Sequence, residues 1–150
     1  MNRTKKIHGL IAAPFTPLDE KGALNLSQVP VLARSLESNG VNGVFVAGTT
    51  GEGPSLSFSE KQALMQEWSN VKGDKLYMVM MLGGNCISEM QDVAKAAQKC
   101  GSDAVSILSP FYFIPSKVNH LVDYCAQVAS VVPDVPFYYY LIPGLTKANF

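Results

Sequence analysis

The stretch VAGTTGEGPSLSFSE, Val46–Glu60, holds a complete strand-to-helix junction. The apolar run Val44–Ala47 (VFVA) leads into it, and its continuous β-branched and aromatic content suits a strand buried on both faces. Gly48-Thr49-Thr50-Gly51 then breaks the run, because glycines permit tight turns and close approach of backbone to a ligand. Ser57-Phe58-Ser59-Glu60 has the capping-box pattern that starts a helix. Strand, glycine loop and helix start, in immediate succession, read as one β-α unit.

The same unit recurs outward in both directions. Four more apolar runs stand out: Leu10–Phe15 (LIAAPF), Leu76–Leu82 (LYMVMML), Ala104–Leu108 (AVSIL) and Pro136–Ile142 (PFYYYLI). Helical periodicity lies between them. The first helix carries Val29, Leu32, Ala33 and Leu36, with Ser27 as N-cap and Pro30 in the first turn, where its missing N–H costs nothing. The second follows the capping box and aligns Leu64, Trp68 and Val71. The third aligns Ile87, Met90, Val93, Ala94 and Ala97, and Gly101 is its natural stop. The fourth aligns Val118, Leu121, Val122, Cys125, Val128 and Ala129.

Strict alternation with short loops predicts an α/β chain with a parallel sheet built by right-handed crossovers. A doubly wound open sheet and part of a (β/α)8 barrel both fit. A complete barrel typically needs about 250 residues, and at least about 200, whereas this chain has 150. Past Pro143 it reads GLTKANF, with no helix pattern to cover the last strand. The expectation is that residues 1–150 form the N-terminal part of a single barrel domain, cut after the fifth strand. A small flavodoxin-like sheet is the alternative. In the barrel reading an edge strand and an apolar face stay uncovered, which favours association and weak folding of the chain alone.

Composition excludes several functions. The 12 basic and 12 acidic residues cancel. Apart from Arg3, Lys5 and Lys6 the basic ones are scattered, so no nucleic-acid or membrane-surface partner is expected. No apolar run approaches a signal-peptide core or a membrane span. Cys86, Cys100 and Cys125 are odd in number and lack metal-ligand spacing, and they read as reduced thiols of a cytoplasmic protein. His8 and His120 stand apart without neighbouring ligands, so no metal site is expected.

Chemistry concentrates at the strand ends. Thr49 and Thr50 sit at the carboxyl end of the second strand, where sites lie in both architectures. Their hydroxyls and the adjacent N–H groups suit a carboxylate or a phosphate. Neither GxxxxGK[ST] nor GxGxxG is present. On residue types alone a plain turn with solvent-facing threonines fits equally well. Tyr138 and Tyr140 fall on one face of the fifth strand and Tyr139 on the other. A tyrosine at a strand end relays protons if it reaches a reacting group; three core-packing aromatics are the simpler reading. No lysine lies in a strand run. All ten occupy helix faces, loops or termini, where an ordinary high pKa is expected.

The segments MNRTKKIHGLIAAPFTP, GTTGEGPSLSFSE (Gly48–Glu60) and PFYYYLIPGLT (Pro136–Thr146) together resemble the N-acetylneuraminate lyase and dihydrodipicolinate synthase family of class I aldolases, the animal lyase branch most closely. The resemblance implies a (β/α)8 TIM barrel, a homotetramer, no cofactor, and Schiff-base retro-aldol cleavage of N-acetylneuraminate to N-acetylmannosamine and pyruvate. It implies that Thr49 and Thr50 bind the keto acid's carboxylate and that Tyr140, in Tyr140-Leu141-Ile142-Pro143, relays the proton. The family's Schiff-base lysine stands on a sixth strand, which this sequence lacks, so the chain alone is expected to be inactive. Leu141 departs from a position that is usually polar in the family. A dihydrodipicolinate-synthase-like aldolase and a noncatalytic form that associates with other subunits are the alternatives.

Overall fold

The computed structural model describes residues 7–149; Arg3, Lys5 and Lys6, with the segment MNRTKK, lie outside the described residues. Five strands form one sheet: β1 (Ile11–Ala12), β2 (Gly43–Val46), β3 (Tyr77–Met81), β4 (Ala104–Ile107) and β5 (Phe137–Tyr139). Their spatial order is β1-β2-β3-β4-β5. Every neighbouring pair is parallel. A doubly wound sheet reverses its strand order at a switch point. This sheet never does, so the flavodoxin-like alternative is excluded and the wall of a (β/α) barrel remains.

The helices are α1 (Val29–Ser38), α2 (Phe58–Val71), α3 (Ile87–Lys99), α4 (Val118–Ala129) and the one-turn α5 (Pro143–Thr146). Strand alternation divides the apolar side chains between two layers. Val44, Val46, Met78, Met80, Val105 and Ile107 point to the helices and join one core with Leu64, Trp68, Met90, Val93 and Val128. Phe45, Val79, Ser106, Tyr138 and Tyr140 face the other way and line a hollow of about 400 Å³ with Ile11.

Local chemistry explains the helix ends. At α2, Ser57 Oγ accepts the Glu60 N–H while Glu60 Oε2 accepts the Ser57 N–H at 2.8 Å, the capping box in full. Gly101 follows the last turn of α3 at φ +72°, a left-handed position open to glycine. Ser27 is not the N-cap of α1. It belongs to a 3-10 turn at Leu26–Gln28 and donates to Asn25 Oδ1, and Gln28 takes the cap position instead. Pro30 does fall in the first turn.

Two further expectations change. In α4, Leu121 and Val128 are buried, but Val118 and Val122 are 52% and 56% exposed. The apolar stripe of α4 is wider than the area α3 and the sheet cover. Its uncovered part borders a second hollow of about 410 Å³, lined by Leu121, Val122, Cys125, Phe137 and Tyr139. Tyr124, outside that stripe, is buried and donates to the Gly84 carbonyl at 3.2 Å. After Pro143 the chain makes the short turn of α5 where no helix was expected, although four residues cover little of the sheet. No helix among the described residues is long and apolar enough to cross a membrane.

Candidate active site

The glycine-threonine loop is shaped by contacts that allow no side chain. A Cβ on Gly53 would lie 1.8 Å from the Ala47 carbonyl oxygen, and one on Gly48 would lie 2.8 Å from the Phe45 ring. Ala47 turns the chain at φ 54° as β2 ends, and Glu52 repeats that left-handed conformation at φ 53°. Backbone bonds close the loop on itself: the Glu52 N–H donates to Thr49 O at 3.1 Å and the Gly53 N–H to Gly48 O at 3.1 Å. The Thr16 hydroxyl ties it to the segment after β1 by donating to Gly51 O at 2.5 Å.

This rigid turn presents Thr49 and Thr50 to solvent. Neither threonine hydroxyl is used within the described residues, and the same holds for the Glu52 carboxylate. Thr49, Glu52 and Ser55 border a cavity of about 280 Å³ at the carboxyl ends of the strands, walled by Leu108, Phe111, Leu145 and Thr146. Its polar groups are hydroxyls and one carboxylate on an apolar wall, the make-up of a small-molecule site.

Tyr140 follows β5, with its N–H donating to Ile107 O at 2.7 Å. Its ring lies 5.4 Å from the Phe45 ring. It lines the inner hollow rather than the Thr49 cavity, and Thr50 lines neither. Phe45 links the two regions, because the ring that touches Tyr140 also lies under Gly48. Tyr140 is 37% exposed, and its hydroxyl has no partner among the described residues. His8 and His120 are both exposed; His120 Nδ1 lies 3.4 Å from the Ser116 hydroxyl.

The expectation that all ten lysines are ordinary fails at Lys61. Its side chain is buried in α2, and Nζ donates to Gly83 O at 3.1 Å and Leu82 O at 3.5 Å and pairs with Glu89 at 3.6 Å. Burial pushes its pKa below the usual lysine range, and the Glu89 charge opposes that shift only in part. The signal was in the sequence: Lys61 precedes Leu64, Met65 and Trp68 by three, four and seven positions, which places it on the inward face.

Asn85 also escaped the sequence reading. Its Oδ1 accepts the N–H groups of Phe111 at 2.9 Å and Tyr112 at 3.1 Å, fixing the loop from which Phe111 walls the cavity. An asparagine in a β-α loop gives no sign in sequence of a partner 26 residues away.

Residues 6–150 match the model of the dihydrodipicolinate synthetase family. The chain is 40% identical over 144 residues to the N-acetylneuraminate lyase of Sus scrofa, covering 95% of this chain and 45% of that protein. N-acetylneuraminate lyase A of Xenopus laevis is 40% identical over 148 residues, 97% of this chain and 48% of its own length. Among solved structures, the Proteus mirabilis N-acetylneuraminate lyase superposes with a TM-score of 0.93 at 33% identity, covering 97% of this chain and 49% of that one. The lyase of Aliivibrio salmonicida gives 0.92 at 36% identity, with 97% and 48% covered. The chain therefore spans about half the length of the curated relatives it matches.

Proposed function

The chain belongs to the dihydrodipicolinate synthetase family, and on that premise we propose that it carries the carboxylate-anchoring part of a Schiff-base aldolase site, within the N-terminal part of a single barrel domain. The family reaction taken for the whole protein is retro-aldol cleavage of N-acetylneuraminate to N-acetylmannosamine and pyruvate, in a homotetramer.

Thr49 and Thr50 hold the keto acid's carboxylate through their unused hydroxyls and the N–H groups of a turn too tight to rearrange. Tyr140, one ring from that turn, moves the proton as the carbon–carbon bond breaks. The electron sink is an iminium formed on a lysine amine. None of the five strands carries a lysine. Lys61, the single buried lysine among the described residues, faces two carbonyls and a carboxylate rather than the cavity. These 150 residues therefore bind pyruvate without condensing with it.

The observation that carries this reading is the Thr49–Glu52 turn, fixed by its own backbone, with Thr49 and Glu52 at the cavity and the Thr49 and Thr50 hydroxyls both unused among the described residues. Of the two sugar-acid and lysine-precursor branches, the lyase is better supported. Among solved structures the two lyases above stand at 33% and 36% identity with TM-scores of 0.93 and 0.92, and two dihydrodipicolinate synthases at 28% and 30% with 0.88 and 0.87.

Pyruvate binding, followed by saturation-transfer NMR on the chain and on a Thr49→Ala/Thr50→Ala variant, tests the anchor. Binding is expected in the first and absent in the second. Borohydride added with pyruvate should leave the intact mass unchanged. A stoichiometric adduct would show that one of these lysines is the nucleophile and overturn the division of labour.

A further inference from the structure

We infer that Lys61 is a positioning residue: its buried ammonium clamps the loop between β3 and α3, and through Asn85 that loop sets the aromatic segment walling the Thr49 cavity.

An ammonium taken out of water is costly unless every donor is matched. Lys61 has three N–H groups. Gly83 O accepts from it at 3.1 Å and Leu82 O at 3.5 Å, and the Glu89 carboxylate completes the set as an ion pair at 3.6 Å. Both carbonyls lie past Met81, the last residue of β3; the Leu82 N–H still donates to Ser106 O of β4 at 2.8 Å, but the ladder uses neither carbonyl. An apolar side chain would fill the same space but leave them without a donor. The lysine therefore supplies what strand pairing stops supplying at that point.

The clamped loop is gripped from other sides as well. The Tyr124 hydroxyl donates to Gly84 O at 3.2 Å from α4. Gly84 packs so closely on Met90 that a Cβ would stand 2.5 Å from the methionine's Cε. One residue on, Asn85 accepts the Phe111 and Tyr112 N–H groups. On its other flank Gly83 lies beside Pro54, close enough that a Cβ would be 3.8 Å from the proline Cγ. Phe111 and Pro54 both line the Thr49 cavity. The path from Lys61 to the cavity wall is thus one loop and one hydrogen-bonded asparagine.

The segment it controls is otherwise poorly held. Tyr112 and Phe113 are 76% and 83% exposed, which makes the segment a ready substrate for chymotrypsin. Cleavage at Phe111, Tyr112 and Phe113 is read for the full chain and for Lys61→Met, Asn85→Ala and the double variant, at a temperature where each keeps its folded circular dichroism. Each single variant is expected to speed cleavage at least fivefold. The double variant should be no faster than the faster single, because both act on one path. Multiplying effects, or unchanged cleavage in Lys61→Met, would overturn the inference. Where Lys61→Met does not fold, Glu89→Gln decides, since it leaves the amine in place and removes its counter-charge. About twofold faster cleavage supports the role and none overturns it.

For pyruvate, the inference rests on the reading of the cavity given above: Lys61→Met should weaken binding at least tenfold while Lys61→Arg, which keeps the charge and donors, restores it. Absence of pyruvate binding by the unaltered chain would sink the functional reading and leave the cleavage test of Lys61 standing.

Discussion

The ring of Tyr140 packs against the ring of Phe45 with centroids 5.4 Å apart and planes tilted by 54°. The pair joins the end of β5 to β2 across the inner face of the sheet, and Gly48 rests on the same phenylalanine. The loop proposed as the anchor and the tyrosine proposed as the proton relay therefore both pack on one side chain.

Replacing Phe45 by leucine keeps most of the apolar volume and removes the ring pair. An aromatic pair contributes about 0.5–1.5 kcal/mol beyond its burial. Urea denaturation of Phe45→Leu should show a loss in that range with the slope unchanged. A Phe45→Leu midpoint equal to that of the parent would mean the two rings are neighbours without coupling.

The α2 cap gives a second expectation. Ser57→Ala removes the acceptor for the Glu60 N–H, and loss of such a cap costs about 1 kcal/mol. Hydrogen bonds from the Ser57 hydroxyl and N–H hold the Glu60 carboxyl below its ordinary pKa. A depressed carboxyl gives stability that is present above its unfolded pKa and lost as pH falls through the folded one. The thermal midpoint of Glu60→Gln should therefore converge on that of the parent in acid. A gap that persists at pH 2 would place the effect elsewhere.

Lys61 reverses the usual lysine trend. Its folded pKa lies below the ordinary 10.5 because burial disfavours the charge. Between the folded value and 10.5 the unfolded chain binds more protons, so this group makes stability rise with pH across that window. Burial raises the Tyr124, Cys100 and Cys125 pKa values, which pulls the other way at alkaline pH. The difference between the parent and Lys61→Met isolates the lysine. That difference should shift in the parent's favour as pH climbs toward 10.5, measured by urea midpoints. A flat difference would contradict a depressed Lys61.

The outer hollow between α4 and β5 predicts association. Val122 and Tyr139, which line it, are 56% and 36% exposed. Sedimentation velocity should show concentration-dependent species larger than the monomer, reduced in Val122→Glu. A monomer at all concentrations in the unaltered chain would show that these side chains stay solvated.

Order and type of the elements were legible because their causes are local. Period-2 and period-3.6 patterns, the Ser57–Glu60 box and Gly101 each act within a few residues. The runs Leu10–Phe15 and Pro136–Ile142 overstated β1 and β5, which have only two and three residues in the ladder. Each of these strands has a single neighbour, so the sheet fixes less of the run than hydrophobicity suggests. Ser27 failed as a cap because a 3-10 turn before α1 moved the helix start by one residue.

By itself the sequence determined the βα alternation, the position of Thr49 and Thr50 at a strand end and the facing of Tyr138 and Tyr140, since backbone geometry makes each a matter of spacing along the chain. Tertiary structure alone decided the unreversed strand order, the Phe45–Tyr140 contact, the separation of Thr49 and Tyr140 into two hollows, and the burial of Lys61 against Gly83 and Glu89. Those depend on which elements meet, and residues 21 to 95 positions apart meet only when the sheet curves and the helices pack on it.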